Sequence, residues 1–150
     1  MADDKPENQS NITPYFSVTG ASEFLDFLGK ALDANVTERH DGPDGKVMHA
    51  EVRINGALVM VADASEKYPP TRSNMYVMVS DVDASYNSAL EAGATSESEP
   101  KDQFYGHRSG GFIDKWDNRW WVAKQIEEVS DEEMERRVKE WQDQQAQQKA

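Results

Sequence analysis

Apolar positions follow two different periods along this chain, and the order of those periods is written twice. "ITPYFSV" (Ile12 to Val18) is rich in β-branched and aromatic residues and predicts a strand, which Gly20 ends. Ser22 then stands where it can cap a helix, and Phe24, Leu25, Phe27, Leu28 and Leu32 recur at spacings of three and four. Asn35 follows "ALDA" where a residue past the helix end must accept positive φ. After a loop holding "DGPDG" come "KVMHAEVRI", the dipeptide Asn55-Gly56 and "ALVMVAD", which together predict a hairpin with a type I′ turn.

The same order returns further on. "NMYVMVS" (Asn74 to Ser80) predicts a strand, Asp81 or Asp83 a cap, and "ASYNSALEA" a helix with Gly93 just past its end. A loop with Pro100 and Gly106 leads to "RSGGFIDKW", then Asp117-Asn118, then "RWWVAKQ". "ALDANVTE" from Ala31 and "ALEAGATSE" from Ala89 are the most visible trace of the repeat. Duplication is the expectation, because element order, helix ends and hairpin turns agree independently. Each unit reads β-α-β-β with room for one more strand in its loop. The helices cover one face of each small sheet, and the opposite faces are expected to curl toward each other around a cleft suited to a small molecule.

Beyond Gln125 the pattern changes. Ser130 precedes Glu133 by three residues as a capping box, and Met134, Val138 and Trp141 form a narrow apolar stripe. These predict a surface helix that packs on its own chain or on a partner, with its last eight residues frayed. The expected divisions are a disordered tail over 1–11, modules over about 12–63 and 74–125, and a C-terminal helix within 126–150.

Composition narrows the function. At 150 residues, 37% apolar and 29% charged, the chain has the size and balance of one globular domain. No run approaches the roughly 20 apolar residues of a membrane span. The acidic "MADDKPENQSN" lacks the pattern of a signal peptide, and cysteine is absent, so the cytoplasm is the expected location. A net charge of −12 argues against nucleic acid, whose binders neutralise phosphates with Lys and Arg.

Several side chains are candidates for chemistry. In a strand, His49, Glu51 and Arg53 share one face while Met48, Ala50, Val52 and Ile54 share the other. His49 and Glu51 are then a base and its orienter, two ligands of an unusual metal site, or part of a solvated face. In "YGHRSGG", Tyr105, His107 and Arg108 lie among glycines that let a ligand approach the backbone. Arg108 either clamps an anion with two parallel hydrogen bonds or pairs with one of the many acids. His40 falls in a loop on this reading. The chain holds no G-x-x-x-x-G-K, G-x-S-x-G or H-E-x-x-H motif.

"ITPYFSV", "GKVMHAEVRING", "DVDASYNSALEAGAT", "DQFYGHRSGGFIDKWDNRWWVA" and "IEEVSDEEMERR" together resemble the PhnB-like branch of the vicinal oxygen chelate superfamily, which holds glyoxalases, bleomycin-resistance proteins and dioxygenases. The likeness spans Ile12 to Arg137. It implies an α+β fold of two repeated βαβββ modules forming cupped mixed sheets, the glyoxalase/bleomycin-resistance fold, here with a C-terminal helix, and it implies a homodimer. It also implies a divalent metal held by one side chain from each of four pocket strands. Those positions fall on Thr13, Met60, Asn74 and Trp121, and neither they nor their neighbours are His or a carboxylate. No metal or other cofactor is therefore expected. If Thr13 faces the pocket, Tyr15 does too, as do Tyr76 and Met78 beside Asn74. Tyr15, Met60, Tyr76, Met78 and Trp121 then line a polarizable chamber or simply fill the core. The expected functions are a small-molecule binding protein, a lyase or isomerase of a small acid using His49 and Glu51, or an interaction module with filled pockets.

Overall fold

The computed structural model describes residues 10–149, so the tail expected over 1–11 lies, up to residue 9, outside them. The first module runs β1 (Tyr15–Val18), α1 (Ala21–Leu32), β2 (Asn35–Asp41), β3 (Val47–Ile54) and β4 (Ala57–Asp63). The second runs β5 (Asn74–Met78), α2 (Val82–Glu91), β6 (Thr95–Asp102), β7 (His107–Ile113) and β8 (Arg119–Gln125), and α3 (Asp131–Gln148) follows. Each module forms one four-stranded sheet, ordered β1-β4-β3-β2 and β5-β8-β7-β6. The first strand pairs parallel to the last in both, and the other pairings are antiparallel. The repeat is real, and the loop strands complete it as β2 and β6. His40 therefore sits on an edge strand, bonded to Glu38 at 2.7 Å, rather than in a loop.

Helix α1 forms where its apolar stripe demands burial: Phe24, Leu25, Phe27, Leu28, Ala31 and Leu32 are all buried. Its start is not capped by Ser22. Gly20, at φ +85°, leads into it, and one Asp63 oxygen from β4 accepts the N–H of Gly20 and of Ala21 at 3.0 Å each. The other Asp63 oxygen takes the N–H of Val47 at 2.7 Å, so one carboxylate ties helix to sheet. Positive φ at the far end falls on Asp33, not Asn35, which already belongs to β2. In the second module Asp81 caps α2 by accepting from Ala84, and Gly93 takes the positive φ.

Asn55 and Gly56 both have positive φ and close the first hairpin as expected. The second hairpin differs. Its connection is Asp114–Asn118, closed by a buried carboxylate rather than by a two-residue turn. Asp114 accepts N–H bonds from Trp116, Asn118 and the indole of Trp120, all between 2.8 and 3.0 Å.

One core serves both modules. Helices α1 and α2 pack together, Phe27 meets Phe112 edge-on, and Phe16 stacks on Trp120 with centroids 5.5 Å apart. The helix-covered faces of both sheets feed this cluster, which leaves their other faces free of it. Leu58 of the first such face and Tyr76 and Met78 of the second line one cavity within the chain. Met48 also leaves the apolar face to which its parity assigned it: it is 65% exposed, because the ladder slips between His40 and Asp41 and Val47 takes the buried place instead. Helix α3 continues through Gln148, into the stretch expected to fray, and buries none of its side chains.

Candidate ligand-binding site

The open face of the first sheet is built by register. Tyr15 and Glu51 both lie opposite Met60, and Glu51 lies opposite Glu38 on β2. Pleating sends Phe16, Ala50 and Val52 into the core and leaves Tyr15, His49 and Glu51 outside. The Tyr15 hydroxyl meets His49 Nδ1 at 3.1 Å. The Glu51 carboxyl is raised above its ordinary value, first by its hydrogen bond to Glu38 and then by burial. Glu38 is lowered by the same bond and by His40. The two carboxyls thus oppose each other across the strands, with His40 and His49 on the adjoining pair of positions.

The second sheet repeats this plan with different chemistry. Tyr76 and Gly111 lie opposite Trp121, in the places Tyr15 and Glu51 hold around Met60. Gly111 makes room for an indole: a Cβ there would meet Trp121 Cζ3 at 2.5 Å and Cε3 at 2.7 Å. The benzo edge of Trp121 therefore fills the space a side chain at position 111 would take, and the residue is half-buried. Tyr76 OH bonds His107 Nδ1 at 2.8 Å, and the Tyr105 ring stands edge-on to His107 at 5.5 Å. Burial and the neighbouring Tyr105 hydroxyl push Tyr76 up to about 12, so it is a neutral phenol at physiological pH.

The ten sequence-predicted site residues therefore divide. Tyr15, Met60, His49 and Glu51 gather on the first sheet, and Tyr76, Met78, Tyr105, His107 and Trp121 on the second. Tyr15, Tyr76 and Met78 are 50%, 49% and 41% exposed, so these faces are not filled core within one chain. Arg108 does not join them. Strand parity turns it to the helix side, where Asp83 of α2 holds it with two bonds of 2.8 Å and Asp102 with one of 3.0 Å. Of the two roles open to Arg108, the structure shows the ion pairing, as a triad with Asp83 and Asp102.

A family model described as Glyoxalase/Bleomycin resistance protein/Dioxygenase superfamily matches residues 15–122. The chain belongs to this superfamily. The uncharacterized protein Mb0911c of Mycobacterium bovis is 35% identical over 135 residues, spanning 83% of this chain and 89% of that protein. The uncharacterized protein Rv0887c of Mycobacterium tuberculosis is likewise 35% identical, over 79% of its length. Among solved structures, TioX from Micromonospora sp. ML1 shares the fold with a TM-score of 0.67 at 24% identity, covering 78% of this chain and 99% of that one. A glyoxalase/bleomycin resistance protein from Streptomyces sp. CB03234 does so with 0.60 at 21%, covering 77% and 100%.

The metal that the superfamily implies can be tested against these residues. Met60 and Trp121 occupy matching places, each paired with the first-strand tyrosine of its sheet. A thioether and an indole offer no hard donor to a divalent cation, and the indole is already packed on Gly111. Among the described residues, no group of three or more His, Cys, Asp and Glu is placed to hold an ion. Met60 and Trp121 therefore do not fit the superfamily's metal, and Thr13 and Asn74 offer only neutral oxygens in place of imidazole or carboxylate.

Sequence reasoning missed Glu38 and Gly111. Glu38 could have been found by reading "NVTERHD" as an edge strand. Gly111 carries no local signal, since its role is defined by a ring ten residues away.

Proposed function

We propose that this superfamily member is a PhnB-like, cytoplasmic small-molecule binding protein that takes a planar organic ligand between two copies of the chain. The observation that carries this is the half-buried Trp121 indole, packed against the side-chain-free backbone at Gly111. A flat apolar ring backed by rigid chain is a stacking platform, and Tyr76 and Met78 extend it. The homodimer is part of the proposal. In it, the first sheet of one protomer closes against the second sheet of its partner, which covers the exposed Tyr15, Tyr76 and Met78. The PhnB-like assignment rests on the sequence runs from Ile12 to Arg137, and the location on the absence of cysteine.

Acridine, a planar tricycle, is the probe. It should quench tryptophan fluorescence saturably and raise Tm; at 100 times its dissociation constant the added stability is about 2.7 kcal/mol. Trp121→Ala should abolish both effects, and light scattering should give twice the chain mass of 16.9 kDa. Equal binding by wild type and Trp121→Ala, or a monomer at all concentrations, defeats the proposal.

A second reading has one observation in its favour: the Glu38–Glu51 carboxyl pair, with Glu51 raised above its ordinary value, stands beside the Tyr15–His49 pair, an arrangement suited to acid–base work on a small organic acid. Deuterium uptake by pyruvate in heavy water, lost in Glu51→Gln, would support it; no uptake by the wild type removes it.

A further inference from the structure

Helix α3 touches the body of the molecule at one corner, and that corner is also the rim of the second open face. Residues 103–107 form a tight turn in which Gly106 N–H bonds the Gln103 carbonyl at 3.1 Å and Gln103 N–H bonds the His107 carbonyl at 2.7 Å. Its two central residues, Phe104 and Tyr105, serve different sides. Tyr105 stands against His107, while Phe104 stacks on Trp141 of α3 with centroids 5.8 Å apart and planes at 29°. The same helix grips the main chain, because Arg137 donates to the Phe104 carbonyl at 2.9 Å. Gly106, at φ +91°, lets the turn press on the segment leading to α3: a Cβ there would meet the Glu127 carbonyl oxygen at 2.6 Å.

Ring contacts therefore run without a gap from helix to site: Trp141 to Phe104, Phe104 to Tyr105 at 5.4 Å, Tyr105 to His107, and His107 to Tyr76 at 6.0 Å. We propose that α3 is a strap, with Trp141 as its positioning residue, that sets the orientation of the Tyr105–His107–Tyr76 group on the ligand face. The physical reason is that Phe104 and Tyr105 are adjacent residues of one short turn. Loss of the Trp141 stack frees Phe104, the turn relaxes, and Tyr105 leaves His107 with it. Trp141 is 45% exposed and nothing else in α3 is buried, so the strap is held by few contacts and can be released without unfolding the core. The inference rests on the proposed ligand face only for its effect on binding; the effect on His107 stands apart from it.

The test uses the full chain carrying Trp141→Ala, Trp141→Phe or Arg137→Gln. Nitrogen NMR of the His107 imidazole reports the hydrogen bond at Nδ1, and acridine titration reports the face. Trp141→Ala and Arg137→Gln should both move the His107 Nδ1 resonance and weaken acridine binding about threefold or more, and Trp141→Phe should restore both. An unchanged His107 signal in Trp141→Ala and Arg137→Gln overturns the strap, whatever acridine does. A shifted signal with no acridine binding by any variant, wild type included, keeps the strap and removes the planar-ligand proposal instead.

Discussion

Gly111→Ala separates folding from binding, because the added methyl has offsetting effects on folding and only a cost for binding. At this strand position φ is not positive, so alanine fits the backbone. Replacing a strand-interior glycine recovers about 0.5–1 kcal/mol of conformational entropy. Against that, the new Cβ would lie 2.5–3.0 Å from three atoms of the Trp121 ring, while ordinary carbon contacts lie near 3.5 to 4.0 Å. The ring must swing away by about 1 Å or turn off its shelf, and it is only half-buried, so it can. The two effects roughly cancel in stability, and urea unfolding should move by less than about 1 kcal/mol. Ligand binding has no such compensation. One face of an indole covers about 60 Å², worth about 1.5 kcal/mol at about 25 cal/mol per Å². Stacking geometry adds about 0.5–1.5 kcal/mol. Losing both weakens acridine about 30- to 150-fold, read by isothermal titration. Binding within threefold of wild type, in a variant that folds normally, would mean the platform is not where the ligand sits.

Three other outcomes follow from the hydrogen bonds. Asp114→Ala strands the buried Trp120 indole N–H and the Asn118 amide, each unsatisfied donor costing about 1–3 kcal/mol, so urea unfolding should show a loss of about 3–5 kcal/mol; a loss below about 1 kcal/mol contradicts the role assigned to this corner. Asp63→Ala removes the acceptor for three backbone N–H groups, and the amides of Gly20, Ala21 and Val47 should exchange with solvent faster while those of α2 do not; uniform exchange across both helices speaks against a local tie. Hydrogen bonds from Arg136 and then Arg137 lower Glu133 from 4.5 to about 2, so the folded form favours the carboxylate. Its contribution to the ion pairs that hold Arg137 within α3 is complete above pH 4.5 and lost as pH falls toward about 2, which the Arg137 Nε resonance should follow; a resonance that does not move over that window rejects the linkage.

Much of the fold could be read from local pattern, and the failures share a cause. The α1 stripe, the Asn55-Gly56 turn, the Asp81 and Ser130 caps and the alternation along β3 are all set by residues within a few positions of one another. The cap of α1 was misread because its acceptor, Asp63, lies 42 residues from Ala21 and offers no nearby sign. The second hairpin was misread because Asp114 gathers Trp116, Asn118 and Trp120 into a longer turn that no dipeptide encodes. Arg108 illustrates the limit for the site. Parity alone places it on the opposite face from His107, and the deciding fact was which of those faces α2 would cover.

Duplication explains why the two open faces differ in chemistry while matching in position. Around Met60 the first module sets Tyr15 and Glu51; around Trp121 the second sets Tyr76 and Gly111. These substitutions are linked in pairs. A tryptophan at the central place needs a glycine beside it, and the glutamate beside the slimmer methionine lies opposite a second carboxyl, Glu38, whose hydrogen bond raises it above its ordinary value. Each copy has thus settled into a self-consistent version, one aromatic and flat, the other polar and protonatable. If like faces met in a dimer, one chamber would press two Glu38–Glu51 pairs together and the other would hold none, an arrangement that like-charge repulsion disfavours once either pair ionises fully. If unlike faces meet, both chambers are the same, and each offers a stacking surface on one side with a proton-bearing carboxyl pair on the other. The second pairing needs only one twofold axis and gives every ligand both kinds of contact. Within the proposed dimer it is therefore the arrangement that the divergence of the two modules favours.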